Sequence, residues 1–127
     1  MIEICGNMYD LNTTTLNLSD KKLNSIPNGV YQLTNLQELD LSSNQLTVIP
    51  PELCQMKKLK KLTLSSNQIH VIPDEIGNLR NLRNLGLSDN QISHIPTSLC
   101  NLQKLVQLFL TQNNITEIPR EIYGLIK

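Results

Sequence analysis

Five residues of this sequence have side chains that are common in metal centres and nucleophilic active sites: His70, His94, Cys5, Cys54 and Cys100. Zinc requires three or four converging imidazole, thiolate or carboxylate ligands. A catalytic cysteine requires a histidine within hydrogen-bonding distance. The sequence contains no glycine-rich phosphate loop and no GxSxG nucleophile motif. Whether any chemistry is available therefore depends on how the fold places these five residues.

A repeat of 23 residues organises the chain. The residues that recur at this interval are Pro27, Pro50, Pro73, Pro96 and Pro119, together with Asn44, Asn67, Asn90 and Asn113. This frame defines four full repeats, 36–58, 59–81, 82–104 and 105–127, and a less regular copy at 13–35. Internal repeats of this length are typical of solenoid proteins.

The apolar residues within each repeat predict its secondary structure. Positions 1, 4, 6, 11, 14, 18 and 21 of the four full repeats are apolar in all 28 cases, although only 39% of the chain is hydrophobic. Leu39 and Leu41 alternate with polar residues, which predicts a short strand. Pro50 can begin a helical turn, and Leu53 and Met56 follow at a helical spacing. One repeat cannot bury its own apolar face, so we expect the repeats to stack around a continuous core.

The pattern LxxLxLxxNxLxxIPxxLxxLxx resembles that of the leucine-rich-repeat family over about nine-tenths of the chain. The 23-residue period and the Ile-Pro step are most similar to the intracellular Ras-suppressor and LAP-like subclass. The resemblance implies an α/β fold, a right-handed solenoid of about five repeats. Its concave face would carry short parallel strands, and its convex face short helices or helical turns.

The N-terminal residues 1–12 are predicted to form a cap on a single repeat domain that spans 13–127. Ile4, Met8 and Leu11 have nearly the spacing of the apolar residues in a helical segment of the repeat. We therefore expect these three side chains to cover the first repeat.

At the other end, the apolar residues of repeat 105–127 have no further repeat in this sequence to cover them. An exposed apolar edge is unfavourable in a solenoid. Three interpretations stay open: a fragment of a longer array, end-to-end self-association through the uncapped repeat, or a frayed last turn.

The repeat frame separates the residues that could do chemistry. His70 and His94 occupy positions 12 and 13 of consecutive repeats, in a loop, where exposed histidines are expected. Cys54 and Cys100 share position 19 but are two repeats apart, which places them on the order of 10 Å from each other at a strand spacing of ~4.8 Å. A disulfide requires Cα atoms within ~7 Å, so free thiols are expected. The sequence thus predicts no catalytic residues, no metal, no cofactor and no enzyme activity.

Strand positions 3, 5 and 7 are predicted to project from the concave face. The candidate protein-binding residues of this face are Glu38, Asp40, Lys61, Thr63, Asn84, Gly86, Gln107 and Phe109, together with Arg83, which extends a basic run at the edge of the sheet. Phe109 is the only phenylalanine and stands where a polar residue is expected. Buried aromatic side chains dominate binding energy at interfaces, so Phe109 beside Gly86 is a candidate hot spot. Alternatively, Phe109 covers its neighbours at the edge of the sheet. Asn44, Asn67, Asn90 and Asn113 are predicted to form a structural ladder, because a side-chain amide both donates and accepts.

Composition narrows the class of partner. Eleven Lys and Arg balance eleven Asp and Glu, and the aromatic content is 3%. Nucleic-acid binders usually have a basic excess and stacking aromatics, so nucleic acid is not the expected partner. No apolar run is long enough for a membrane span, and the N-terminus lacks the pattern of a signal peptide. An odd number of unclustered cysteines favours an intracellular, cytoplasmic location.

Protein binding through the concave face is therefore the leading functional prediction, with the partner's identity unknown. The alternative is a structural segment of a larger multidomain signalling protein or effector, truncated after the repeat at 105–127. An extracellular receptor fragment would predict cysteine-rich flanks, which the sequence lacks.

Overall fold

The computed structural model describes residues 1–125, and the last two residues of the predicted repeat 105–127, Ile126 and Lys127, lie outside the described residues. Seven strands of three residues each are present. They are β1 (Ile2–Ile4), β2 (Asn7–Tyr9), β3 (Thr15–Asn17), β4 (Glu38–Asp40), β5 (Lys61–Thr63), β6 (Asn84–Gly86) and β7 (Gln107–Phe109). The last five strands begin at position 3 of successive repeats, as the alternating leucines predict.

Strands β3 to β7 form one parallel sheet in the order of the sequence. Each residue of β3 to β6 pairs with the residue 23 positions later in the next strand. For example, Leu39 pairs with Leu62, and Leu62 pairs with Leu85. Parallel strands need a long crossover connection, and the rest of each repeat supplies it. The predicted solenoid of about five repeats with a strand face is confirmed.

The crossovers contain 3₁₀ helices at Asn28–Gln32, Leu53–Gln55, Asp74–Asn78, Thr97–Asn101 and Arg120–Leu125. Each begins with a hydrogen bond from the amide at position 18 to the carbonyl of the repeating proline, as from Leu53 N to Pro50 O at 3.1 Å. The helical turns that the sequence predicts are thus 3₁₀ in geometry. Few residues separate the proline from the next strand. Because the segment is so short, it favours the backbone hydrogen bonds between residues three apart that define a 3₁₀ helix.

The core is a continuous column of Leu and Ile side chains between the sheet and the 3₁₀ helices. In repeat 59–81 the seven apolar side chains are at most 3% exposed. Repeat 105–127 differs, because Leu105 and Ile122 are buried whereas Leu108, Leu110 and Ile115 are only partly buried. Ile118 is 41% exposed. Burial by stacking is therefore incomplete in this repeat, as expected where no further repeat covers it.

The N-terminal segment is an antiparallel hairpin of β1 and β2. Its two-residue turn is formed by Cys5 and Gly6, both with positive φ, which matches the twist of a tight hairpin. Ile4 is buried and packs with Ile2 against the first 3₁₀ helix, since a Cβ on Gly29 would lie 2.9 Å from Ile4 Cγ1.

Two of the three residues predicted to cover the first repeat do not do so. Met8 is 57% exposed and Leu11 is 49% exposed. Met8 pairs with Glu3 in the hairpin, on the face opposite to Ile4, because side chains alternate with a period of two in a strand. The prediction based on helical spacing was wrong for Met8 and Leu11, and Tyr9 packs against the core instead.

The repeating asparagines connect each repeat to the one before it. Asn67 Nδ2 donates to Leu41 O and to Leu64 O, both at 3.0 Å, and Asn67 Oδ1 accepts from Leu46 N at 3.0 Å. Asn44, Asn90 and Asn113 repeat this arrangement. The bonded backbone groups are enclosed between repeats, so the side-chain amide takes the place of water.

The residue before each of these asparagines has left-handed backbone geometry. Ser43, Ser66, Asp89 and Gln112 have φ between 57° and 58°. This conformation is uncommon for residues other than glycine, and asparagine and aspartate tolerate it best. It occurs three residues after the end of each strand, where the chain turns and the following asparagine side chain enters between the repeats.

Repeats 59–81 and 82–104 are in close contact on the convex side at Gly77. A Cβ on Gly77 would lie 2.7 Å from the carbonyl oxygen of Ser98 and 3.0 Å from Asn101 Nδ2. Only glycine fits this contact without displacement of the backbone. The nearby Ser98 hydroxyl is buried and has no hydrogen-bond partner within residues 1–125.

We predict that Asn67→Ala lowers the free energy of unfolding by about 2–4 kcal/mol, because the buried amide of Leu46 loses its acceptor and the carbonyls of Leu41 and Leu64 each lose one of two amide donors. Asn24→Ala is the control, since Asn24 is exposed and lies in a loop of the first repeat. Its effect should stay within about 0.5 kcal/mol. Urea denaturation measures both, and equal effects of the two substitutions would contradict the ladder.

We predict that Gly77→Ala lowers the free energy of unfolding by about 1–3 kcal/mol through overpacking. Ser98→Ala should be neutral or stabilising, because it removes a buried hydroxyl that has no partner. Gly77→Ala should be equally destabilising in the wild type and in the Ser98→Ala background, since the nearest obstructing atom is a backbone oxygen. A smaller effect in the Ser98→Ala background would place the obstruction in the Ser98 hydroxyl instead.

Candidate functional site

The sheet arranges the predicted binding residues in straight columns across the concave face. The register aligns Glu38 with Lys61 and Asn84, and this column ends at Gln107. The neighbouring column contains, from β3 to β7, Asn17, Asp40, Thr63, Gly86 and Phe109. Backbone hydrogen bonds hold successive strands ~4.8 Å apart, so the side chains have fixed mutual positions.

A polar hollow of about 370 Å³ lies over β3, β4 and β5. Its polar lining consists of Thr15, Asn17, Glu38, Asp40, Lys61 and Thr63. The Asp40 carboxylate is oriented by Ser42, whose amide and hydroxyl both donate to Asp40 Oδ1, at 2.9 and 2.6 Å. Glu38 and Lys61 are both exposed, so this hollow offers charges of both signs to a partner.

An apolar hollow of about 350 Å³ lies beside β7, at the other end of the sheet. Phe109 lines it together with Leu108, Ile118 and Leu125, and Phe109 is 49% exposed. The aromatic ring therefore has accessible surface on the concave side and also adjoins the incompletely buried apolar edge. Its position beside the apolar edge agrees with the interpretation of Phe109 as a cover, and its role as a contact residue stays a prediction.

Gly86 separates the two hollows. It is buried, and a Cβ at this position would lie 3.2 Å from Ser65 Oγ and 3.5 Å from Thr63 Cγ2. The side chains of Ser65 and Thr63 lie close to this position, so an open notch beside Phe109 stays a prediction. A ligand that contacts both hollows would pass over this point.

Some lining residues were missed by the sequence analysis, and three predicted residues, Arg83, Asn84 and Gly86, line neither hollow. Thr15 and Asn17 belong to the polar hollow and could have been included, because they share the columns of Glu38 and Asp40. Ile118 had been assigned only to the core. Arg83 lies one residue before β6 and is exposed at the edge of the sheet, outside both hollows.

The histidines and cysteines remain apart. Both histidines are exposed, and the cysteines are free thiols. Among residues 1–125, no group of three or more His, Cys, Asp or Glu is placed to hold a metal ion. The helices in this part of the chain are also too short or too polar to cross a membrane.

The convex side contains two groups with perturbed ionisation. Burial, with smaller contributions from the charges of Glu75 and Glu52, raises the pKa of Cys54 to about 12. Burial and the charge of Glu52 likewise raise the pKa of Tyr31 to about 12. A thiol with a raised pKa is a poor nucleophile, because the thiolate is the reactive form.

We predict that iodoacetamide at pH 8 alkylates the exposed Cys5 rapidly and leaves Cys54 unmodified in the folded protein. With a pKa of about 12, about one Cys54 thiol in 10⁴ is ionised at pH 8. Peptide mass spectrometry over time measures both sites, and unfolding in urea should equalise them. Alkylation of Cys54 as fast as Cys5 in the folded state would show that the convex side opens.

Comparison with known proteins agrees with this geometry. A family described as "Leucine rich repeat" matches residues 12–69, 57–115 and 80–125. No curated protein sequence matches the chain significantly.

Three solved structures illustrate the similarity. Internalin C2 from Listeria monocytogenes is 29% identical, with a TM-score of 0.80 over 91% of this chain and 49% of that one. A leucine-rich-repeat protein of Leptospira interrogans is 34% identical, with a TM-score of 0.70 over 87% of this chain and 34% of that one. The BIR2 ectodomain from Arabidopsis thaliana is 35% identical, with a TM-score of 0.69 over 76% of this chain and 53% of that one. This chain thus spans about half or less of the length of these proteins.

The repeat pattern, the in-register parallel sheet and the family match lead to one conclusion: this chain belongs to the leucine-rich-repeat family.

Proposed function

We propose that this chain is a protein-interaction module that binds a partner protein through its concave face. The observation that carries this proposal is a charged hollow over β3 to β5 together with the exposed Phe109, which stands on the same sheet and borders an apolar hollow at the edge of β7. A rigid sheet presents both without rearrangement, so little conformational entropy is lost when a partner docks. The proposal involves no catalytic step.

Phe109 supplies the apolar contact in this proposal. Phe109 is 49% exposed in the free protein, and a partner that covers it removes apolar area from water. Glu38 and Lys61 supply orientation, because exposed charges contribute mainly to specificity and to the rate of association. Thr63, Asn84 and Gln107 complete a polar surround of the kind that excludes water around a hot spot.

The cellular setting and the subclass are part of the proposal. The three free cysteines support an intracellular, cytoplasmic location. The 23-residue period with its Ile-Pro step supports the Ras-suppressor and LAP-like subclass. End-to-end self-association through repeat 105–127 stays a prediction, and the partly buried Leu108, Leu110 and Ile115 are the surface that it would use.

Affinity capture with three baits tests the concave site. The first bait is the wild type, and the second carries Glu38→Lys with Phe109→Ser. The third is a matched control with Glu75→Lys and Tyr123→Ser, the same changes in side-chain type at exposed positions of the 3₁₀ helices. We expect a partner that the first and third baits retain and the second loses by at least about tenfold, a typical effect of removing a hot-spot residue.

Other outcomes decide against the concave face. Equal retention by all three baits places binding on another surface. Loss of the partner from the control bait alone would assign binding to the convex side. Absence of any retained protein would favour the alternative function, a structural segment of a larger multidomain protein.

A further inference from the structure

The basic residues of this chain are concentrated on one rim of the solenoid. The segments that lead from each 3₁₀ helix to the start of the next strand, 56–60, 79–83 and 102–106, contain three lysines, two arginines and one lysine, respectively, and no Asp or Glu. They hold six of the eleven basic residues in a chain with no net charge. We call these three segments the basic rim.

The fold aligns the three segments side by side. Arg83 N donates to Lys60 O at 2.8 Å, and Val106 N donates to Arg83 O at 2.7 Å. The repeat therefore stacks cations that are 23 residues apart in sequence onto neighbouring strands, ~4.8 Å apart. Like charges at this distance repel each other and raise the local positive potential.

Two lysines of the rim are held by side-chain amides rather than by carboxylates. Lys58 Nζ donates to Asn35 Oδ1 at 2.6 Å, and Lys104 Nζ donates to Asn81 Oδ1 at 3.0 Å. Asn81 Nδ2 in turn donates to Lys57 O at 2.9 Å. An amide partner orders the ammonium group but leaves its charge uncompensated, so the positive potential is preserved.

A hollow of about 250 Å³ lies within the rim and is lined by Lys57, Asn78, Arg80 and Asn81. Its side chains are two cations and two amides, a lining that suits an anionic group. Arginine binds carboxylates in a bidentate geometry, and lysine supplies a compact charge beside it. The hollow therefore has the chemistry of a carboxylate-binding subsite.

We propose that the basic rim binds an acidic polypeptide segment, with one carboxylate in the hollow between Lys57 and Arg80. This is a second interaction surface, outside the two hollows of the proposed concave site. Glu38 and Asp40 repel acidic groups from the neighbouring concave face, so the segment follows the rim. The scarcity of aromatic residues disfavours nucleic acid, whose bases would need stacking platforms.

Binding of a fluorescein-labelled decaglutamate peptide to the full chain, followed by fluorescence anisotropy at low salt, tests this proposal. A decaglutamine peptide is the uncharged control. The rim variant Lys57→Glu with Arg80→Glu should weaken decaglutamate binding by at least about tenfold. The matched control, Lys21→Glu with Lys22→Glu, changes the net charge equally at exposed positions of a loop in the first repeat, and should change Kd by less than about twofold.

Circular dichroism and thermal unfolding establish that both variants are folded. If decaglutamate binding were weakened equally in the rim variant and the control variant, binding would depend only on net charge. That result would overturn the proposed site between Lys57 and Arg80. Failure of decaglutamate to bind the wild type at low salt would overturn the proposal, as would equal binding of decaglutamine. Tighter binding of a single-stranded dT decamer than of decaglutamate would make the rim a nucleic-acid surface instead. None of these outcomes depends on Glu38 or Phe109, so the concave proposal is tested separately.

Discussion

The structure depends on the hydrogen bonding of backbone groups that stacking removes from water. Each repeat encloses loop amides and carbonyls of the preceding one, and a buried group without a partner destabilises the fold by about 1–3 kcal/mol. The side-chain amide of the repeating asparagine satisfies three such groups at once: for Asn67, an amide of Leu46 and carbonyls of Leu41 and Leu64. Apolar stacking alone would leave these groups unsatisfied. The ladder thus permits the continuous leucine core, and the core in turn holds the strands in register.

Periodicity made most of this architecture predictable. Every contact between repeats recurs 23 residues later, so the strand of Leu39 and Leu41, the turn at Pro50 and the role of Asn44 follow from comparing the sequence with itself. The features of the N-terminal segment that were not predictable occur only once, so no other repeat is available for comparison. Met8 and Leu11 belong to a hairpin that occurs once, and its two-residue turn at Cys5 and Gly6 leaves no regular apolar pattern.

The sequence predicted which residues of the candidate site share a face of the sheet, but not which residues line its hollows. Alternation placed Asp40, Thr63 and Phe109 on one face, because strand geometry requires it. It could not place Ile118 and Phe109 in the same hollow, since that proximity depends on how far repeat 105–127 buries its loop. The left-handed geometry at Ser66 also escaped prediction, because serine has no sequence signature for it. In the basic rim, by contrast, the repeat itself stacks the cations of neighbouring repeats.

Gly77 has a consequence for the shape of the whole arc. On the concave side, backbone hydrogen bonds fix the distance between successive strands, so the angle between two repeats is set by their separation on the convex side. Position 19 lies at that outer contact. Because Gly77 has no Cβ, the backbone of the next 3₁₀ helix can approach it to a distance that a methyl group would block. The other repeats have larger residues at this position: Tyr31, Cys54, Cys100 and Tyr123. Side-chain size at position 19 therefore influences how closely successive 3₁₀ helices approach each other, and with it the curvature that the concave face offers to a partner surface.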